Sequence, residues 1–169
     1  KTLTIIGGSG FFGKSILDSF TRGLLLKYKI SKIIILSRSV VDFQLLHPEF
    51  KTPNIKYING DISSIEELPY ADIVIHAATS AKQLDYVKNS VRENENTERG
   101  VSNYIRLLKK FHKNSKIVYC SSGAVYGNQP SEILNINEDF PFQDLEEVEV
   151  LKRDYALSKR NAEKLILNL

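Results

Sequence analysis

The chain has 169 residues, a formal net charge of +3 and 42% apolar residues, the make-up of one globular domain able to bury a sizeable core. Its 23 basic and 20 acidic residues are scattered, with no arginine-rich tract, which argues against a nucleic-acid partner. A single cysteine, Cys120, excludes a disulfide framework and a multi-cysteine zinc site and fits a reducing cytoplasm, while no run of about 18 apolar residues or signal pattern indicates a membrane or secretion.

The chain opens on an apolar strand pattern, Leu3 to Ile6, that breaks into Gly7, Gly8, Gly10 and Gly13 and then into a helical pattern through Ile16, Leu17 and Phe20, expected to run to about Lys27. Residues without Cβ let the backbone bend sharply and approach a pyrophosphate, whose charge the N–H groups and dipole of the new helix stabilise. Two registers fit this turn: Gly7, Gly10 and Gly13, or Gly8, Gly10 and Gly13. Ile33 to Leu36 reads as a second strand, followed by a looser segment, and Ile55 to Asn59 as a third. Ile73 to His76 is a fourth strand, Val91 to Phe111 a long helix, Ile117 to Ser121 a fifth strand and Lys152 to Leu169 a last helix. Strands alternating with helices predict a parallel sheet covered on both faces, with ligands at the carboxyl ends of the strands.

The last helix holds the most reactive pair. Tyr155 and Lys159 are four residues apart, so phenol and ammonium share one helix face. A cation beside a phenol favours its ionised form, and bringing a pKa of roughly 10 down by about 3 units asks for roughly 4 kcal/mol. Lys159 alone falls short of that, and a cationic cofactor ring nearby would supply the rest.

Taken together, Gly7-Gly8-Ser9-Gly10-Phe11-Phe12-Gly13, Asp61 after the third strand, His76-Ala77-Ala78 after the fourth, the run from Cys120 to Gly127 after the fifth, and Tyr155-Ala156-Leu157-Ser158-Lys159 resemble the extended short-chain dehydrogenase/reductase family. Within it the closest likeness is to the NAD(P)-dependent epimerase/dehydratase group acting on nucleotide sugars. The resemblance implies a doubly wound, Rossmann-type parallel sheet forming one NAD(P)-binding domain over residues 1–169 that carries the catalytic helix. It also implies truncation before a small C-terminal substrate-binding subdomain, an expectation that the absence of any methionine supports. The partners implied are a nucleotide-sugar substrate and, in solution, a homodimer.

The resemblance assigns cofactor contacts to Gly7, Gly10, Phe11, Phe12 and Gly13, to Asp61 and Ile62 beside the adenine, and to Ala77 and Ala78 beside the nicotinamide ribose. Asn96 would steady the active-site helix or a water beside the lysine, with Asn94 the less well aligned choice. At the end of the second strand, Ser37-Arg38-Ser39 lacks the acidic residue that would hold both ribose hydroxyls of NAD; its hydroxyls and guanidinium suit a 2′-phosphate, so NADP is favoured over NAD. Asp61 also reads as an N-cap for a helix over Ser63 to Leu68. His76, a lone histidine without matching carboxylates, reads as structural, and no metal site is expected.

Ser122 matches the catalytic hydroxyl that orients the substrate oxygen, Tyr155 the acid/base, and Lys159 both its modifier and a ribose ligand. Tyr126 would pack or touch substrate phosphates. Where dehydratases carry an Asp-Glu pair after the catalytic hydroxyl, this chain has Gly123 and Ala124, which disfavours elimination. The acidic stretch Glu132 to Glu149, with Asp139, Asp144, Glu146 and Glu147, reads as a solvated loop. Epimerase and ketoreductase both remain, and a non-catalytic cofactor-binding sensor or scaffold is the alternative from another class.

Overall fold

Strand residues of one parity fill one side of the sheet and those of the other parity fill the opposite side, which is why the central strands read as nearly unbroken apolar runs, while the edge strands keep exposed residues such as Lys56, Asn59 and Lys116. The computed structural model describes residues 1–79, 83–146 and 148–168, with backbone alone for 83–88 and 151. Strands β1 (Thr2–Ile6), β2 (Lys32–Ser37), β3 (Ile55–Asn59), β4 (Ile73–His76) and β5 (Lys116–Tyr119) form one parallel sheet in the order β3-β2-β1-β4-β5. Leu3 lies opposite Ile33 and Ile73, and Ile5 opposite Ile35 and Ile75, so matching side chains form rows across the strands. These rows, with Ile55, make one core against Leu17, Phe43 and Phe50. Ile6, Leu36 and Val74 face the other way into a second core with Ile62, Leu68, Tyr104 and Leu107. Fully burying one such Leu or Ile contributes about 1.5–3 kcal/mol.

Helix α1 (Phe11–Thr21) ends well short of the expected Lys27. The stop is Gly23, at φ +75°, whose N–H donates to the Phe20 carbonyl while the Leu24 N–H reaches the Ser19 carbonyl, the paired bonds of a glycine-terminated helix. A short 3-10 turn at Leu26–Tyr28 follows. The looser segment contains helix α2 (Val40–Leu46) and a 3-10 turn at Pro48–Phe50. No helix forms over Ser63 to Leu68: Asp61 instead closes a turn, its carbonyl accepting from the Ser64 and Ile65 N–H groups.

Helix α3 (Gln83–Phe111) is interrupted at Asn89 (φ −166°, ψ 86°), whose Oδ1 accepts from the Arg92 N–H and so caps the longer part that follows, close to the expected start at Val91. The fifth strand stops at Tyr119 rather than Ser121, and helix α4 spans Val150–Leu167. The expectations placed on Glu147 and Leu169 lie outside the described residues. The chain divides into two compact units, Lys1–Thr79 with Gly100–Cys120 and Ser80–Arg99 with Ser121–Leu169. The first holds the whole sheet; the second holds the first part of α3, a 3-10 turn at Gly123–Tyr126 and α4. Among the described residues no helix is long and apolar enough to cross a membrane.

Candidate functional site: a glycine turn and a Tyr-Lys helix

In the first unit the chain leaves β1 at Gly7, whose φ of +83° a side chain would strain, and whose missing Cβ admits the backbone of Ala78 at 2.8 Å. The Gly7 N–H donates to the Leu36 carbonyl at 2.8 Å and the Gly10 N–H to the Gly7 carbonyl at 3.1 Å, folding the turn back on itself. Gly13 overlies the Gly8 carbonyl with no space for a Cβ, and Gly8 is pressed against the Ile35 side chain. Gly10 differs: a Cβ there would touch only the Gly7 oxygen, at 3.4 Å. It precedes α1 as a cap without a side-chain bond, and the first turn of α1 carries no acidic residue. An open cradle at a helix start with no competing anion fits a diphosphate. Phe11 and Phe12 pack edge to face at 5.7 Å between ring centres and stay exposed.

Beyond β2, Ser37 and Ser39 meet Ser9, a residue of the glycine turn that sequence reasoning passed over. The Ser9 hydroxyl lies 2.6 Å from that of Ser37 and 3.2 Å from that of Ser39. Arg38 is 71% exposed and reaches Asp61 across 3.6 Å. Burial alone would raise the Asp61 carboxyl, but the backbone and hydroxyl of Ser63, the former at 2.8 Å, and the Arg38 guanidinium outweigh it and hold it below the usual range. The Ile62 side chain lies in the second core, so only its backbone is left to offer a ligand. Asn103 braces this turn from α3, its amide donating to the carbonyls of Ile62 at 2.8 Å and Ile65 at 2.9 Å. A mid-helix asparagine was the only sign of it in the sequence.

After β4 the Ala77 N–H returns to the Ile6 carbonyl, and Ala77 and Ala78 carry the chain past Gly7. His76 is 1% exposed, its ring set against those of Tyr104 and Tyr119 at 5.4 and 5.6 Å, as a packed residue of the sheet. Among the described residues no group of three or more metal-ligating side chains comes together.

In the second unit Tyr155 is half-buried and Lys159 is 1% exposed, with its ammonium 5.9 Å from the Tyr155 ring centre. Ser122 is extended and half-buried, and its hydroxyl accepts the Ala124 N–H at 3.3 Å, leaving its proton to be donated. Asn96 bonds along its own helix, to Glu93 at 3.5 Å and Arg99 at 3.1 Å. Among the described residues, one bond between this stretch and α4 runs from Asn161 to Glu98 at 2.7 Å. Tyr126 donates to the Glu138 carbonyl at 3.2 Å and packs on Phe140 and Phe142.

A parallel sheet in this order, with glycines between its first strand and first helix, defines the class of dinucleotide-binding folds. The chain belongs to the NAD dependent epimerase/dehydratase family, whose sequence model matches residues 3–169. It is 32% identical over 132 residues to the UDP-glucose 4-epimerase of Rickettsia bellii, covering 75% of this chain and 38% of that protein. It is 40% identical over 82 residues to the inverting UDP-N-acetylglucosamine 4,6-dehydratase of Campylobacter jejuni, 46% of this chain and 23% of the relative. Its fold matches a dTDP-glucose 4,6-dehydratase from Streptomyces venezuelae solved with NAD, with a TM-score of 0.79 at 20% identity over 98% of this chain and 50% of that one. The chain thus spans half or less of the length of each of these proteins.

Proposed function

We propose that this chain supplies the cofactor-binding and acid/base parts of an NAD(P)-dependent epimerase or oxidoreductase, acting on a nucleotide-activated sugar by reversible hydride transfer at a carbinol carbon. The observation that carries this reading is Lys159, almost wholly buried on the face of α4 that holds Tyr155. Lysine is almost never buried so completely without a partner or a task. Tyr155 takes the proton of the sugar hydroxyl as it becomes a carbonyl and returns it in the reverse direction, Lys159 stands beside it on the same helix face, and Ser122 orients the reacting oxygen. Bound NAD(P) supplies the hydride acceptor and donor.

In the first unit Gly7, Gly10 and Gly13 shape the diphosphate cradle, with Phe11 and Phe12 beside it and Ala77 and Ala78 leaving room for the nicotinamide ribose. Asp61 serves the adenine: its two oxygens bond Ser63 and Arg38 and keep lone pairs for a further donor. Ser37, Arg38 and Ser39 favour NADP; the exposed Arg38 can turn from Asp61 to a 2′-phosphate. Gly123 and Ala124 leave the turn after Ser122 without the acid pair of an elimination, so epimerisation or ketone reduction is the reading here.

Replacing Tyr155 with Phe should lower turnover of UDP-glucose, UDP-N-acetylglucosamine or dTDP-glucose by at least about a hundred-fold while cofactor affinity stays within a few-fold. Undiminished turnover would remove Tyr155 from the chemistry. Cofactor binding without turnover of any such sugar by the native protein would favour a sensor.

A further inference from the structure

Arg160 follows Lys159 on α4 but turns away toward the segment that carries Ser122, all within the second unit. Its Nε donates to the Val125 carbonyl at 2.7 Å and its Nη2 to the Gln143 carbonyl at 2.7 Å. The Gln143 N–H in turn donates to the Tyr126 carbonyl at 3.0 Å, which closes a ring of bonds through Arg160, Val125, Tyr126 and Gln143. The guanidinium carbon lies 4.7 Å from the centre of the Phe142 ring, and Phe142 meets Tyr126 at 5.9 Å. The turn is itself small: Val125 bonds back to Ser122 and Gly127 to Ala124, each at 3.1 Å. It leaves at Gly127 with φ +78°, where a Cβ would meet the Asp144 carbonyl at 3.2 Å.

We propose that Arg160 is a positioning residue: by clamping Val125 and Gln143 to α4 it sets where the Ser122 hydroxyl stands relative to Tyr155 and Lys159. The role rests on the hydride-transfer reading given above. A rigid planar fork is what the geometry demands, because two carbonyls on different segments take two N–H groups of fixed angle, and an ammonium on a flexible stem offers a single point donor. Catalytic groups displaced by about 1 Å can lose a hundred-fold in rate, so a clamp three residues from Ser122 has leverage without touching substrate.

The test has two readouts, applied to Arg160→Ala, Arg160→Gln and Arg160→Lys in the longest natural chain. Amide hydrogen exchange needs no substrate: Val125, Tyr126 and Gly127 should exchange at least ten-fold faster in the variants while the amides of α4 keep their protection. Unchanged exchange at these three, or equal loss throughout α4, overturns the clamp. The second readout is turnover of whichever of the three sugar nucleotides the native protein accepts. Arg160→Ala should lower kcat by about ten- to a hundred-fold with KM and cofactor Kd within about two-fold, and Arg160→Lys should not restore it. Combined with Ser122→Ala, Arg160→Ala should add less than about two-fold, because the residue it positions is gone. Equal losses in both backgrounds, or rescue by Lys, overturn the positioning role. If the native protein turns over none of the sugars, the hydride-transfer reading and the positioning role that rests on it fall, and hydrogen exchange still decides the clamp.

Discussion

Gly13 lies directly on the carbonyl of Gly8, so closely that a Cβ at position 13 would overlap that oxygen. This contact seats the first turn of α1 against the glycine turn, and Gly10, three residues earlier, has no comparable neighbour. The two glycines should therefore fail in different ways. Gly13→Ala should destabilise the fold by about 1–3 kcal/mol through overpacking. Gly10→Ala should leave thermal unfolding nearly unchanged and weaken NAD binding by an order of magnitude or more. Thermal melts paired with cofactor titration separate the two, and a Gly10→Ala protein that binds NAD normally would show that the cradle is not the diphosphate site.

Asp61 links the turn after β3 to acid stability. Its carboxyl is held below its ordinary value of 3.8, with burial opposing and Ser63 and Arg38 prevailing. A carboxyl lowered by folding contributes stability above its unfolded pKa that is lost as pH falls through its folded value. The native protein should lose stability below about pH 3.8 in part through this group, and Asp61→Asn should flatten that part of an acid titration followed by circular dichroism. An identical acid limb in the variant would mean that folding does not perturb Asp61.

His112 acts at a higher pH. It is 1% exposed, and its Nε2 bonds the Pro69 carbonyl at 2.9 Å; a carbonyl can only accept, so the proton sits on Nε2. Burial lowers its pKa below 6.5, with the Pro69 bond acting in the opposite direction. Stability is therefore whole above the unfolded value of about 6.5 and declines as pH falls below it, because the unfolded chain takes the proton first. Urea midpoints between pH 7.5 and 5 should drop, and His112→Gln should show a shallower decline over the same range. A parallel decline in both would transfer the effect to other groups.

Asn103 supports Asp61 and Ile62 indirectly. Replacing it with Ala leaves the Ile62 carbonyl without this donor and the Ile65 carbonyl, among the described residues, with the Arg106 guanidinium at 3.3 Å. The expected cost is about 1–3 kcal/mol in equilibrium unfolding. Because the turn it braces also carries Asp61, cofactor affinity should fall as well. A variant as stable as the native protein would indicate that water replaces the amide.

The strands, the glycine turn and the Tyr155-Lys159 pair could be read from the chain because each is a local or periodic signal. Burial on both faces writes a central strand as an apolar run, a turn at positive φ selects glycine, and four-residue spacing on a helix places two side chains on one face. The end of α1 was local too, in Gly23, yet the apolar residues beyond it continued the helical pattern and masked the stop. Asp61 looked like a helix cap because the same side-chain bond to an N–H closes a turn when no helix follows. The meeting of Ser9 with Ser37, the bracing of Ile62 by Asn103 across 41 residues and the hold of Arg160 on Val125 across 35 are of another kind. A hydroxyl, amide or guanidinium reaching that far along the chain leaves no period behind and, read alone, resembles any solvated polar side chain. Only the packing of distant segments brings the matching carbonyl or hydroxyl within about 3 Å, because a hydrogen bond depends on distance and angle in space, not on separation in sequence.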